Sequence, residues 1–181
     1  MANTVSRAMH DAGLAAWFGG TLANAVALNP AAAEAGDARS TGRVANAGWD
    51  RWAPVNAGAI GIHLIGAVGQ LIGNRSRVAA QEGVGAMTIT KTVLTAAALG
   101  ASAYSRVLGK KVSERQDVPA DSGTTPTSST PDDVASAQKQ LEVLQWVIPA
   151  LTGAMVLTTS YAGEQQRASE VHKGIVARFM S

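Results

Sequence analysis

Charge is spread unevenly along the chain. Ala12 to Ala33, Trp52 to Asn74 and Val143 to Gly163 contain no Asp, Glu, Lys or Arg, and Gly83 to Ser105 contains only Lys91. About 20 predominantly apolar residues in a helix span the hydrocarbon core of a bilayer, and each window has that length. A helix of a soluble bundle carries a charged outer face, which these windows lack. The pattern predicts an all-α integral membrane four-helix bundle, with transmembrane helices at about 12–32, 54–74, 84–106 and 142–163.

The flanks fit this reading. Trp52 and Trp146 open the second and fourth windows, and Tyr104 and Tyr161 close the third and fourth, where amphipathic aromatics meet the headgroups. Gly69 and Gly73 form a GxxxG, and Ala96 and Gly100 a small-xxx-small pair, so these four are expected to pack helices closely. Two alternatives stay open. One is an Ala-rich soluble bundle. The other is a cleaved first window, with Arg7 as the basic region and Ala25-Val26-Ala27 as the cleavage pattern. Asp11 and the Gly-rich core of that window count against cleavage.

Between the windows, residues 34–51 read as a first loop in which Arg43, Trp49, Arg51 and Trp52 fit a short interfacial helix. Pro54 then falls in the first turn of the second helix. The connection from Arg75 to Glu82 is short, which predicts that helices two and three are antiparallel neighbours. Residues 112–130, rich in Ser, Thr, Pro, Gly and Asp, read as a flexible linker where protease cuts first. Thr130-Pro131-Asp132-Asp133 reads as a helix start with Thr130 as the cap. Apolar positions at Val134, Ala137, Leu141, Leu144 and Ile148 carry that helix into the membrane, where Pro149 is expected to kink it. The tail, 164–181, places Val171, Ile175 and Phe179 on one face, either as an amphipathic surface helix or as a frayed polar end. Six basic residues on one side of the four-span topology against eight on the other leave its orientation open.

Composition narrows the classes. The 181 residues suit one domain, and 15% are charged against about 25% in soluble domains. Mean hydropathy is only +0.08, so segregation carries the membrane reading. A net charge of +2 with dispersed Arg and Lys argues against a nucleic-acid partner. The absence of Cys excludes disulfides and Cys-ligated metal clusters. There is no GxSxG, P-loop, GxGxxG or HExxH motif, and His10, His63 and His172 lack metal-ligand spacing. No catalytic residue, metal ligand or cofactor is therefore assigned, and the chain is read as a non-enzyme.

Polar residues inside the windows remain. Asn56, His63 and Gln70 lie seven apart on one face of helix two, and Thr88, Lys91, Thr92, Thr95 and Ser102 form a stripe on helix three. Trp17, Thr21 and Asn24 on helix one, and Gln145, Thr152 and Thr159 on helix four, complete the set. Lipid cannot satisfy such groups, so the stripes face inward, for hydrogen bonds between helices or for a ligand or ion path. Lys91 lies about 12 Å along its helix from Gly83. Its ammonium either snorkels outward or faces inward near His63 and Gln70 and binds an anion. His63, Gln70 and Lys91 are the candidates for contact with a ligand or partner.

Three strings, Met9 to Gly20, Arg51 to Asn56 and Ala103 to Lys111, resemble uncharacterised four-span membrane proteins of actinobacteria, a family that implies no activity. His10, Trp17, Gly19 and Gly20 also resemble the first helix of copper-resistance D and HemJ-like membrane proteins, which implies haem. The basic residues that follow in HemJ-like proteins are absent here. In the four-span geometry His10 sits at the membrane edge and His63 about 16 Å deeper, so the two are not expected to share an iron. His10 and His172 read as surface residues. The expected function is a scaffold or accessory subunit of a membrane complex, multi-pass in the cell membrane. A carrier for a small molecule, an ion or haem is the alternative. The expected partners are the lipid bilayer and a membrane protein or a second copy of the chain.

Overall fold

The computed structural model describes residues 2–80, 83–115 and 117–164. The C-terminal tail, with His172, lies outside them. Helices α1 (Ala2–Ala23), α2 (Asn29–Ala32), α3 (Ala38–Gly73), α4 (Arg75–Ala80), α5 (Val84–Ser113) and α6 (Asp132–Glu164) follow in chain order. Among the described residues there is no strand, only an isolated bridge between Ala120 and Pro126.

Helix α1 starts ten residues before the first charge-free window, at Ala2. Nothing there breaks a helix, and Arg7 pairs with Asp11 one turn on at 3.7 Å. Its far end widens into a π-helical turn, Asn24–Leu28, where the Asn29 amide bonds back to the Asn24 carbonyl. Pro30 follows. Its ring would clash with the carbonyl of Val26 in a regular helix, and the wider turn relieves that.

Residues 34–51 are not a loop. Gly36, at φ +91°, reverses the chain, and the Asp37 side chain caps α3 by accepting from the amides of Arg39 and Ser40, each at 3.0 Å. The Ser40 hydroxyl adds a bond at 2.6 Å and holds the Asp37 carboxyl below the usual carboxylate range. This cap is present above that range and weakens as acid protonates Asp37. Pro54 therefore sits inside α3 rather than at its start.

Among the described residues three helices, α3, α5 and α6, are long and apolar enough to cross a membrane. Helix α1 is not among them. Its large side chains, Leu14 and Trp17, turn inward, and its outer face is Ala12, Ala15, Ala16 and Gly19. The 36, 30 and 33 residues of α3, α5 and α6 make rods of about 54, 45 and 50 Å, against a core of about 30 Å. The helices thus divide into two layers. In one, Leu14, Trp17, Ala98, Ile148 and Met155 form the core, while Ile62, Ile65, Val68, Ile89, Val93 and Leu157 are exposed. In the other, Leu108, Val112, Val118, Val134 and Ala137 form a second core. Ion pairs stud the surface of that layer: Arg106–Asp50 at 3.4 Å, Arg43–Asp117 at 3.6 Å and Arg115–Asp133 at 2.8 Å.

The segment read as a flexible linker closes this second layer as a folded cap. The Ala120 amide bonds the Ala38 carbonyl at 2.9 Å, and the Gly123 amide bonds the Asn29 carbonyl at 3.1 Å. Val118, Ala120, Thr124 and Thr130 are buried. A Cβ at Gly42 would overlap the Val118 carbonyl oxygen, so only glycine lets the cap lie flat on α3. Thr130 does not cap α6. Its hydroxyl donates to the Pro119 carbonyl at 2.6 Å, and the Pro131 carbonyl takes the first helical amides, Val134 and Ala135.

Limited digestion with a nonspecific protease is accordingly expected to spare 117–130 in the native protein. Val118→Asp, which buries a carboxylate in the second core, makes this segment the first cut. Early cleavage there without the substitution contradicts a docked cap.

Candidate functional site

Glycine brings α1 onto α3. A Cβ at Gly13 would stand 2.5 Å from both the Ala59 carbonyl oxygen and the His63 amide nitrogen. At Gly66 it would overlap the His10 amide, and at Gly69 the Ser6 hydroxyl. The two backbones are in direct contact along this seam, as small residues allow in membrane helices.

This approach sets His10 against His63. Their ring centroids lie 4.4 Å apart, tilted by 43°, and Trp17 meets His63 edge-on at 5.9 Å. His63 Nδ1 lies 3.2 Å from the His10 carbonyl oxygen. A carbonyl only accepts, so Nδ1 donates and the neutral ring keeps Nε2 as an acceptor, which is buried without a partner among the described residues. His10 Nδ1 likewise donates to Asp11 Oδ1 at 2.8 Å. Trp17 Nε1 donates to the Ser102 hydroxyl at 3.2 Å.

His10 is thus no surface residue. It is 2% exposed, lies level with His63 and is as enclosed as that ring. A first helix beginning at residue 12 would leave His10 at a different depth from His63; α1 begins at Ala2 and carries it inward. Rings in direct contact leave no gap for a haem between them, so these residues do not fit a haem held by both. Among the described residues no cluster of three or more His, Cys, Asp or Glu gathers to hold a metal.

Helix α1 packs on both α3 and α6, and α5 packs on α6, while α3 and α5 touch only sparsely. A cavity of about 370 Å³ lies between them, within the range of small-molecule sites, about 300–1,000 Å³. The two helices, expected as antiparallel neighbours, line opposite sides of this gap. Leu64, Ala67, Val68 and Leu71 of α3 face Met87, Ala96 and Leu99 of α5 across it, Val78 of α4 covers one end, and His10 reaches it from α1.

Gln70 and Lys91 also line the cavity. The Gln70 Nε2 has no hydrogen-bond partner among the described residues. Lys91 forms no ion pair there either. The nearby carboxylate, Asp11, is held by Arg7 and His10 instead. The cavity's threonines are occupied: Thr88 and Thr92 donate to carbonyls one turn back at 2.8 and 2.9 Å, and Thr95 donates to the Met155 sulfur at 3.2 Å.

Of the three candidate residues, Gln70 and Lys91 share the cavity, and His63 sits one layer behind it against α1. Of the packing residues, Gly69 meets Ser6, Gly100 faces open space, and Ala96 is exposed on the cavity wall. Gly73 ends α3 and is exposed. Gly69 thus shares the close packing with Gly13 and Gly66, which the sequence does not single out. The signal for this seam was the seven-residue spacing of His10 and Trp17, which puts both on one face of α1. Comparison with protein-family models, curated proteins and solved structures finds no match to the chain.

Gly13→Ala or Gly66→Ala is expected to lower the thermal midpoint in detergent, at a cost of about 1–3 kcal/mol for overpacking. Gly19→Ala, which meets open space, serves as the control and is expected to leave the midpoint unchanged or raise it. Equal behaviour of the three variants contradicts the seam.

Proposed function

We propose that the protein is a multi-pass integral membrane protein of the cell membrane that binds a small amphiphilic molecule between α3 and α5. The cavity between the two helices carries this reading. It is walled by apolar side chains with a few polar groups converging on it, the composition of a small-molecule site. Val68 and Leu71 of its lining are themselves exposed, at 57% and 53%, so it opens sideways through the apolar flank. A guest dissolved in the bilayer reaches such a site without crossing water.

Binding rather than catalysis is the reading because the lining threonines donate to carbonyls and to the Met155 sulfur rather than to the His10 imidazole, so no hydroxyl there is paired with a base. A scaffold or accessory role has its own support in α1. Its exposed Ala12, Ala15, Ala16 and Gly19 offer a smooth face to another membrane helix.

The membrane reading predicts that the protein stays with membranes in alkaline carbonate. The cavity reading predicts saturable binding of a neutral apolar dye, N-phenyl-1-naphthylamine, to the protein in phosphatidylcholine nanodiscs. Ala67→Phe, which fills the cavity from α3, is expected to abolish it. Release by carbonate refutes the first, and dye binding that survives Ala67→Phe refutes the second.

A further inference from the structure

We propose that the molecule bound between α3 and α5 is a single-chain amphiphile with an anionic oxygen headgroup, a carboxylate or phosphate, held by Lys91 with help from Gln70. This rests on the cavity reading above and names the chemistry of its guest.

The hydrogen-bond balance of the cavity leads to an anion. The hydroxyl protons of Thr88, Thr92 and Thr95 are already committed within the protein. The Lys91 ammonium and the Gln70 amide N–H remain as donors without acceptors among the described residues. Asp11 and Arg7 are the other charges acting on Lys91, and they pair with each other at 3.7 Å, so their charges largely cancel. Among the described residues the ammonium of Lys91 has no counter-ion of its own in these apolar surroundings, where a charge without a partner is costly. An anion supplies both the counter-charge and the missing acceptors. A cationic guest meets like charge, and a neutral one leaves the ammonium unpaired.

The walls lead to a chain. From Lys91 the cavity runs between Leu64, Val68 and Leu71 on one side and Met87 and Leu99 on the other. It opens where Val68 and Leu71 of its lining are exposed, at 57% and 53%. A compact hydrophilic anion would have to cross that apolar flank. An acyl chain lies along it, its tail in the lipid and its headgroup at Lys91. Fatty carboxylates and lysophospholipid phosphates share this chemistry.

The test is displacement of N-phenyl-1-naphthylamine from the full chain in phosphatidylcholine nanodiscs. The competitors are palmitate, palmitoyl lysophosphatidate, hexadecanol and hexadecyltrimethylammonium. At least one anion is expected to act at a concentration tenfold or more below hexadecanol, and which anion leads tells carboxylate from phosphate. Lys91→Met should erase that advantage while leaving hexadecanol unchanged, Lys91→Arg should keep part of it, and Gln70→Leu should reduce it several-fold. Equal action of anion and alcohol, strongest action by the ammonium, or a preference that survives Lys91→Met overturns the proposal while leaving the cavity intact. Should Lys91→Met fail to fold, judged by helical circular dichroism, the headgroup comparison on the unmodified chain decides alone. Absence of saturable dye binding removes the cavity reading itself and the proposal with it.

Discussion

Backbone contact between α1 and α3 is the constraint from which the rest follows. At Gly13 and Gly66 the backbone of one helix meets the backbone of the other, and Gly69 admits the Ser6 side chain; among membrane-type helices such close approach is a principal source of association. The contact locks α1 between α3 and α6. Helix α5 then finds its partner in α6. The short connection through α4 tethers α5 to α3 but cannot close the space between them. The cavity is thus a product of the seam.

The same seam places the polar groups. His63 is sealed against His10 and Trp17, while Gln70, two turns further along α3, lines the cavity with Lys91. The two layers of the molecule follow opposite rules. In the apolar layer charge is nearly absent and the outer surface is aliphatic. In the charged layer a small core lies under ion pairs such as Arg115–Asp133, at 2.8 Å. Helices longer than a bilayer core are needed to serve both, and α3, α5 and α6 are.

Much of this was legible in the chain. The charge-free windows locate the apolar parts of α3, α5 and α6, because helical length and lipid thickness are fixed quantities. The inward turn of Gln70 follows from the cost of leaving polar groups in lipid, whereas for Lys91 the sequence leaves snorkelling and inward facing open. Three features were not legible. Residues 38–51 look like a loop because their charges end the window, yet charge does not end a helix once Asp37 has capped it. The segment 117–130 looks like a linker because its polar composition cannot bury much apolar area. It folds by local bonds instead, Ser122 to Thr125 and Thr127 to Thr130, around Val118 and Ala120. Of the seam glycines only Gly69 stands out, through its GxxxG; Gly13 and Gly66 are hidden among 19, since only the partner backbone shows which glycine is close.

Cysteine pairs in this cysteine-free chain test the central claim, that α1 touches α3 and thereby keeps α3 from α5. A Cβ at Gly69 stands 2.8 Å from the Ser6 Cβ, a small relaxation from the Cβ separation of about 3.8 Å in a disulfide. Mild oxidation of membranes is expected to join Ser6→Cys to Gly69→Cys rapidly and within one chain. Ala67→Cys and Ala96→Cys, on opposite walls of the cavity, should stay reduced under the same conditions. Cross-linking of the second pair as fast as the first would mean that α3 and α5 are in contact, and would contradict the account.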